Sequence, residues 1–399
     1  MKIATASSDL PDTELALESA LNELKTRLAA PLHYLVVQNS VHYDGKKLLE
    51  RLRITVPGVP IHGGTTCQGV MTERGFRSAD GTRALGLFGI SDSEGAYGTG
   101  IAEIEENAAE AAIRASRAAL AQAGRTGESP AIVWITSAPG VEEDVIAGIV
   151  RFFGPHVPVC GGSSADNDVT GKWSQFSHET FSTRAVVISV LFPTAPVAFA
   201  FQGGYEVTEK SAVVTSGHGN VIRELDGRPA AEVYDSWIGG GLRDRLGVLS
   251  NVLMDTSLSP LGRIVGEFGG IPYFQLSHPE TFSADRALTL FTKIREGERV
   301  YLMRGSKDAL VSRPKRVVDS ALRNASVRDA KPIGALVIYC AGCMLTVKER
   351  MGEVVENFNS ALGTDIPFLG AFTFGEQGCF FGGENRHGNL MISALLFLE

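Results

Sequence analysis

The sequence predicts an α/β protein: pseudo-symmetric, repeated strand–helix–strand–hairpin units whose mixed sheets are flanked by helices. Two observations carry this reading. Short, continuously apolar runs alternate with segments of helical periodicity, the pattern of a sheet with parallel strands. Three proline-led stretches, VPIHGGTT (59–66), VPVCGGSS (157–164) and IPFLGAFT (366–373), also align on one template. Recurrence of that kind marks internal duplication.

The elements follow in order. Segment 13–28 places Leu15, Leu17, Leu21, Leu24 and Leu28 at helical spacing, with Asp12 or Thr13 as cap. HYLVVQN (33–39) reads as a buried strand and 45–53 as a helix. A long helix over 104–123 stops at the breaker GRTGESP, then AIVWITS (131–137) forms a strand and 142–153 a helix. Each glycine stretch follows an apolar strand and a helix, the strands being LHYLVV (32–37), PAIVWI (130–135) and GALVIYC (334–340). Each precedes another apolar strand: RALGLFGI (83–90), RAVVISVLF (184–192) and NLMISALLF (389–397). A fourth, weaker echo is ERVYLMRG (298–305) with a helix near 313–324. Residues 196–300 alternate and turn at Asp226-Gly227, which is hairpin chemistry and hence an antiparallel portion, with a short helix at 230–237. The chain is expected to divide into 1–215, holding two related sub-units, and 216–399.

Composition narrows the class. With 399 residues, 44% hydrophobic and 21% charged, the chain has the make-up of a folded protein with a large core. A net charge of −8 supplies no global basic field, and the short cluster SRPKRVV (312–318) lacks interleaved aromatics, so nucleic acid is not an expected partner. Five scattered cysteines fit a reducing compartment. The N-terminus lacks a signal-peptide pattern, and no apolar run approaches the ~20 residues of a membrane helix. A cytoplasmic protein without a membrane span is expected.

Chemistry concentrates at the glycine stretches. Glycine lets backbone approach a ligand closely, and the ends of parallel strands commonly border a crevice. The expected ligand-binding set is Gly63, Gly64, Thr65, Gly161, Gly162, Ser163, Ser164, Asp166, Cys340, Thr373, Gly375 and Glu376. Glu376 stands in apolar surroundings, where a carboxylate must be paired, hydrated or hydrogen-bonded; it would recognise an amino group or move a proton. Cys340 and Cys343 form a CxxC, spaced for half a zinc site, a redox pair or simple burial. Glu142-Glu143 read as solvated charge on a helix. Ser163 and Asp166 invite a triad drawing, but no G-x-S-x-G elbow is present.

GGSSADND (161–168), GNVIRELDGRPAAEVYDSW (219–237), REGERVYLMRG (295–305), ALVIYCAGC (335–343) and IPFLGAFTFGEQGC (366–379), with HGN (387–389), resemble the FIST sensory-domain family in its N-terminal and C-terminal portions. The resemblance runs from about residue 30 to the end and fits the 1–215 and 216–399 division. It implies a bacterial signal-transduction sensor for a small ligand such as an amino acid. Some relatives bind haem, sense nitric oxide and regulate a histidine kinase or cyclic-di-GMP signalling. With no length left for an output domain, a stand-alone sensor with a protein partner is expected. If haem b binds, His62 and His278 are the axial candidates; the absence of C-x-x-C-H excludes covalent attachment. The family pattern carries an arginine where this chain has Cys343. The alternative expectation is a haem-independent enzyme using Cys340 or Glu376 on a small metabolite.

Overall fold

One plan recurs three times along the chain. A first strand leads to a helix, a second strand, a second helical segment, and a third strand parallel to the second. In the first unit these are Lys2–Ser8, Thr13–Leu28, Tyr34–Asn39, Gly45–Thr55 and Ile61–Thr65. In the second they are Ala96–Glu103, Ala108–Gln122, Ile132–Ser137, Glu142–Phe153 and Val159–Ser163. The third uses Val197–Gln202, Lys307–Arg323, Pro332–Cys340, a segment closing with Met351–Leu362, and Phe368–Thr373. A closing strand then inserts antiparallel between the first two of its own unit: Leu85–Ser91, Ala185–Phe192 or Ile392–Leu398. This computed structural model describes residues 1–268, 270–327, 329–380 and 382–399.

The third strand of each unit would present an open edge, and open edges invite foreign pairing. A hairpin from another unit covers each one. The hairpin at 70–77 leaves the first unit and pairs with Phe368–Thr373 of the third. The hairpin at 376–388 leaves the third and pairs with Val159–Ser163 of the second. The hairpin at 175–182 leaves the second and pairs with Ile61–Thr65 of the first. The exchange closes a ring of three six-stranded sheets.

The paired glycines lie inside these third strands rather than in turns beyond them. They are needed because neighbouring units press onto them. A Cβ at Gly63 would lie 2.1 Å from the Phe176 ring on the second unit's hairpin, and one at Gly370 would lie 2.4 Å from Met71 on the first unit's hairpin.

The inner sheet faces share one core that includes Tyr34, Phe88, Trp134, Leu191, Leu336 and Phe397, drawn from all three units. His62 lies buried there, its ring nitrogens 2.9 Å from Thr136 Oγ1 and 2.8 Å from Ser189 Oγ of the second unit. The helices pack outside, each set over its own core. Asp12 caps the first helix by accepting from the Glu14 and Leu15 amides. Leu17, Leu21, Leu24 and Leu28 are buried, whereas Leu15 faces solvent.

An insertion, 206–304, separates the first strand of the third unit from its helix. It forms a nine-stranded antiparallel sheet with helix Ala230–Trp237 and a separate core. The expected fourth echo therefore has another explanation. Arg299–Arg304 belongs to the inserted sheet, and Val197–Gln202 is the first strand of the third unit. Its helix starts at Lys307, capped by Ser306, so SRPKRVV sits mid-helix. Pro314 leaves the Leu310 carbonyl without its helical donor, and the Tyr339 hydroxyl donates to that carbonyl at 3.0 Å. No helix among the described residues is long and apolar enough to cross a membrane.

Gly161→Ala tests the close packing. Its Cβ would lie 2.1 Å from the Ile135 carbonyl oxygen at φ +151°. A loss of about 3 kcal/mol is expected, read as a fall in urea midpoint. Gly352→Ala, in open space on a helix, should match or exceed the parent by up to about 1 kcal/mol.

Candidate functional site

A cavity of about 570 Å³ opens where the second unit, the third unit and the inserted sheet meet. It lies beyond the carboxyl ends of parallel strands, the usual position of a ligand crevice in such sheets. Cys340 and Thr373 end adjacent parallel strands of the third unit and line it. The second unit contributes the segment 139–143 and, from a loop, Val169 and Trp173. The insertion contributes Leu253, His278, Phe291 and Lys293. Trp173 and Phe374 meet edge to face with ring centroids 6.1 Å apart, giving one aromatic wall.

His278 is the most exacting polar group there. It is buried, and its Nε2 has no hydrogen-bond partner. Burial pushes the imidazole down to about 4, so the ring is neutral at pH 7. An unsatisfied buried acceptor costs roughly 1–3 kcal/mol, which a ligand donor or a metal centre would relieve.

A hydrogen-bond chain underlies the opposite wall. Glu142, expected to be solvated, is buried. It accepts from the Ser163 hydroxyl at 2.6 Å and from the Gly140 amide at 2.9 Å. Gln377 Nε2 donates to Ser163 Oγ at 3.3 Å and lies 3.4 Å from His387 Nδ1. Gly375 has no room for a side chain here, since a Cβ would come within 2.9 Å of both Glu142 Oε1 and Ser163 Oγ. At the rim, Lys293 reaches Asp144 at 2.7 Å, tying the insertion to the second unit.

The structure distributes the expected site residues unevenly. Cys340, Thr373 and His278 line the cavity. Ser163 and Gly375 lie directly behind it through Glu142. Gly63, Gly64, Gly161 and Gly162 are in strand interiors and line no part of it. Thr65 and Ser164 pin Ser174: its amide donates to Thr65 Oγ1 at 3.0 Å, and Ser164 Oγ donates to its carbonyl at 2.9 Å. Asp166 is buried and accepts from the amides of Asp168, Val169, Thr170 and Lys172, shaping the loop that delivers Val169 and Trp173. Glu376 is enclosed, accepting from Thr373 Oγ1 at 3.2 Å and the Met391 amide at 3.0 Å, and burial holds its pKa well above the usual carboxylate range. His62 has both nitrogens engaged and does not reach the cavity.

Sequence reasoning missed Glu142, Trp173, Phe291, Lys293, Phe374 and Asn389. An aromatic residue in the polar loop after GGSSADND was the available signal for Trp173. Nothing local marked Glu142, because its burial comes from another unit. Position 343, where the resemblance led to the expectation of arginine, holds a buried cysteine, yet a guanidinium is nearby. Arg313 from helix Lys307–Arg323 is buried with its guanidinium 4.2 Å from the Tyr339 ring centroid. No cluster of three or more metal-ligating side chains occurs among the described residues, so CxxC is not completed into a zinc site there.

The fold and cavity define a three-unit α/β protein with a ligand-sized recess at the strand ends. A FIST N domain matches residues 34–228 and a FIST C domain residues 230–379, so the chain belongs to the FIST family of sensory domains. No curated protein matches it. Among solved structures, cyanuric acid hydrolase from A. caulinodans is similar at 11% identity and TM-score 0.39, covering 99% of this chain and 98% of that one. PurLQS from Thermotoga maritima follows at 10% identity and TM-score 0.25, covering 100% of this chain and 72% of that one. Likenesses this distant carry nothing about function.

Asp166→Ala should free the loop, and trypsin should then cut folded protein after Lys172 several times faster than it cuts the parent. A second test concerns pH. Burial lowers His62 to about 3 and His278 to about 4. Below the unfolded value near 6.5, the unfolded chain takes up protons that the folded chain refuses. Stability therefore falls as pH falls, by about 1.4 kcal/mol per pH unit for each group. Urea unfolding between pH 6.5 and 5 should show this slope, and His62→Gln should reduce it by about 1.4 kcal/mol per unit.

Proposed function

We propose that this chain is a cytoplasmic sensor that binds a small ligand in the cavity at His278 and signals to a protein partner, such as a histidine kinase or a cyclic-di-GMP enzyme. One observation carries the reading: a buried, neutral imidazole whose Nε2 has no hydrogen-bond partner belongs to a residue lining a recess of about 570 Å³ at the strand ends. The preferred ligand is a small polar metabolite with an N–H or ammonium donor, such as an amino acid. Its donor would satisfy Nε2, and Trp173, Phe291 and Phe374 would cover its apolar part. The walls come from two units and the insertion, so a ligand touching all three favours one arrangement of them over others. It shifts that balance only by its differential affinity.

Haem b is a second reading, favoured by the same nitrogen. A neutral imidazole with an unpartnered nitrogen, on a residue lining an apolar recess, is the kind of donor an axial site requires. Here His278 would hold the iron, the aromatic wall would cover the macrocycle, and Lys293 would meet a propionate. Bound haem would supply affinity for a diatomic gas such as nitric oxide.

Two titrations separate these readings. Thermal shift against an amino-acid panel should raise the melting temperature by several degrees for at least one compound, and His278→Ala should abolish the rise. Stoichiometric haemin should instead give a Soret band, lost in His278→Ala, if the second reading holds. Silence in both titrations overturns the assignment of the cavity.

A further inference from the structure

The sensor reading leaves one cluster unused. Cys340 lines the cavity, and Cys343 lies buried behind it. We propose that Cys340 and Cys343 are a redox-active dithiol that closes to a disulfide when a peroxide enters the cavity. The inference does not depend on which ligand the cavity binds.

Placement is the first support. Cys340 caps helix Ala341–Thr346, and Cys343 is the third residue within it. Those two positions face each other across one turn, the same pair that a capping box joins. Cys340 and His278 border one small space, since a Cβ at Gly342 would sit 3.7 Å from Cys340 Sγ and 3.7 Å from His278 Cε1. Cys67, Cys160 and Cys379 are buried and line no part of the cavity.

Charge is the second support. Arg313 is fully buried; its Nη1 donates to the Gly203 and Leu390 carbonyls at 2.9 and 2.7 Å, but it forms no salt bridge among the described residues and leaves Nε and Nη2 without hydrogen-bond partners. A buried cation without a counter-charge is costly. Cys343 is placed to supply one, with the Tyr205 hydroxyl 3.5 Å from its sulfur. Burial alone would raise this thiol, but the neighbouring Cys340, the Arg313 charge and Tyr205 bring it down to about 6. Cys340 moves the other way, held well above its ordinary value, chiefly by burial. The reaction starts from the pair with one thiol ionised and one proton shared.

The chemistry balances within this pair. Transfer of the shared proton to Cys343 places the thiolate on Cys340, at the cavity. Its sulfur attacks a peroxide oxygen; the S–O bond forms, the O–O bond breaks, and the leaving hydroxide takes the Cys343 proton to become water. The Cys343 thiolate then attacks Cys340 sulfur; the S–S bond forms, the S–O bond breaks, and the departing hydroxide takes a proton from solvent. The dithiol loses two electrons and hydrogen peroxide becomes two waters.

Folded protein treated with hydrogen peroxide and then alkylated should lose two hydrogens in intact mass. The tryptic peptide holding residues 340 and 343 should carry the bond, with the other three cysteines alkylated only after unfolding. Dithiothreitol should reverse the change. In Cys343→Ser, Cys340 should instead gain one oxygen and label with dimedone. The wild-type map stands alone if that variant fails to fold. A folded protein that forms no disulfide, or one that oxidises Cys67, Cys160 or Cys379 as fast, overturns the proposal.

Discussion

An open sheet edge is what organises this molecule. Each unit ends its parallel pair on a strand whose outer N–H and C=O groups need partners. Each edge is satisfied by a hairpin from a different unit, in the cyclic order first to third, third to second, second to first. No unit completes its own sheet, so the three are bound into one cooperative structure. The exchange also explains the glycines: side chains of the arriving hairpins, Phe176 and Met71 among them, occupy the space a Cβ would need.

The cavity is a consequence of that arrangement. Bringing the carboxyl ends of strands from two units together leaves a recess beyond them, and the inserted sheet closes one side. The exchanged segments then serve twice. The loop held by Asp166 delivers Trp173 to the wall before its hairpin crosses to the first unit. Gln377, on the hairpin that crosses to the second unit, joins the chain of polar groups behind Glu142.

Buried polarity is unevenly compensated. His62 is matched by two hydroxyls of a neighbouring unit and works as a link between units. His278 keeps one ring nitrogen without a partner, and Arg313 keeps Nε and Nη2 without partners while its Nη1 donates to two carbonyls. Such open groups oppose stability, and their presence beside a cavity marks where the fold has been shaped for something besides holding itself together.

The sequence by itself determined the local elements and the repetition. Apolar periodicity and a cap placed Thr13–Leu28, periodicity placed a helix near Glu142–Phe153, and the proline-led stretches disclosed a unit that recurs three times. Such signals lie within a few turns of chain. The tertiary structure alone decided that the paired glycines are strand interiors, that Arg299–Arg304 belongs to an insertion, and that Glu142 is buried while His62 is sealed. The reason is physical. Burial and pairing at those positions come from strands and side chains of other units, tens to hundreds of residues away, and no short-range pattern in the chain encodes which edge a hairpin will cover.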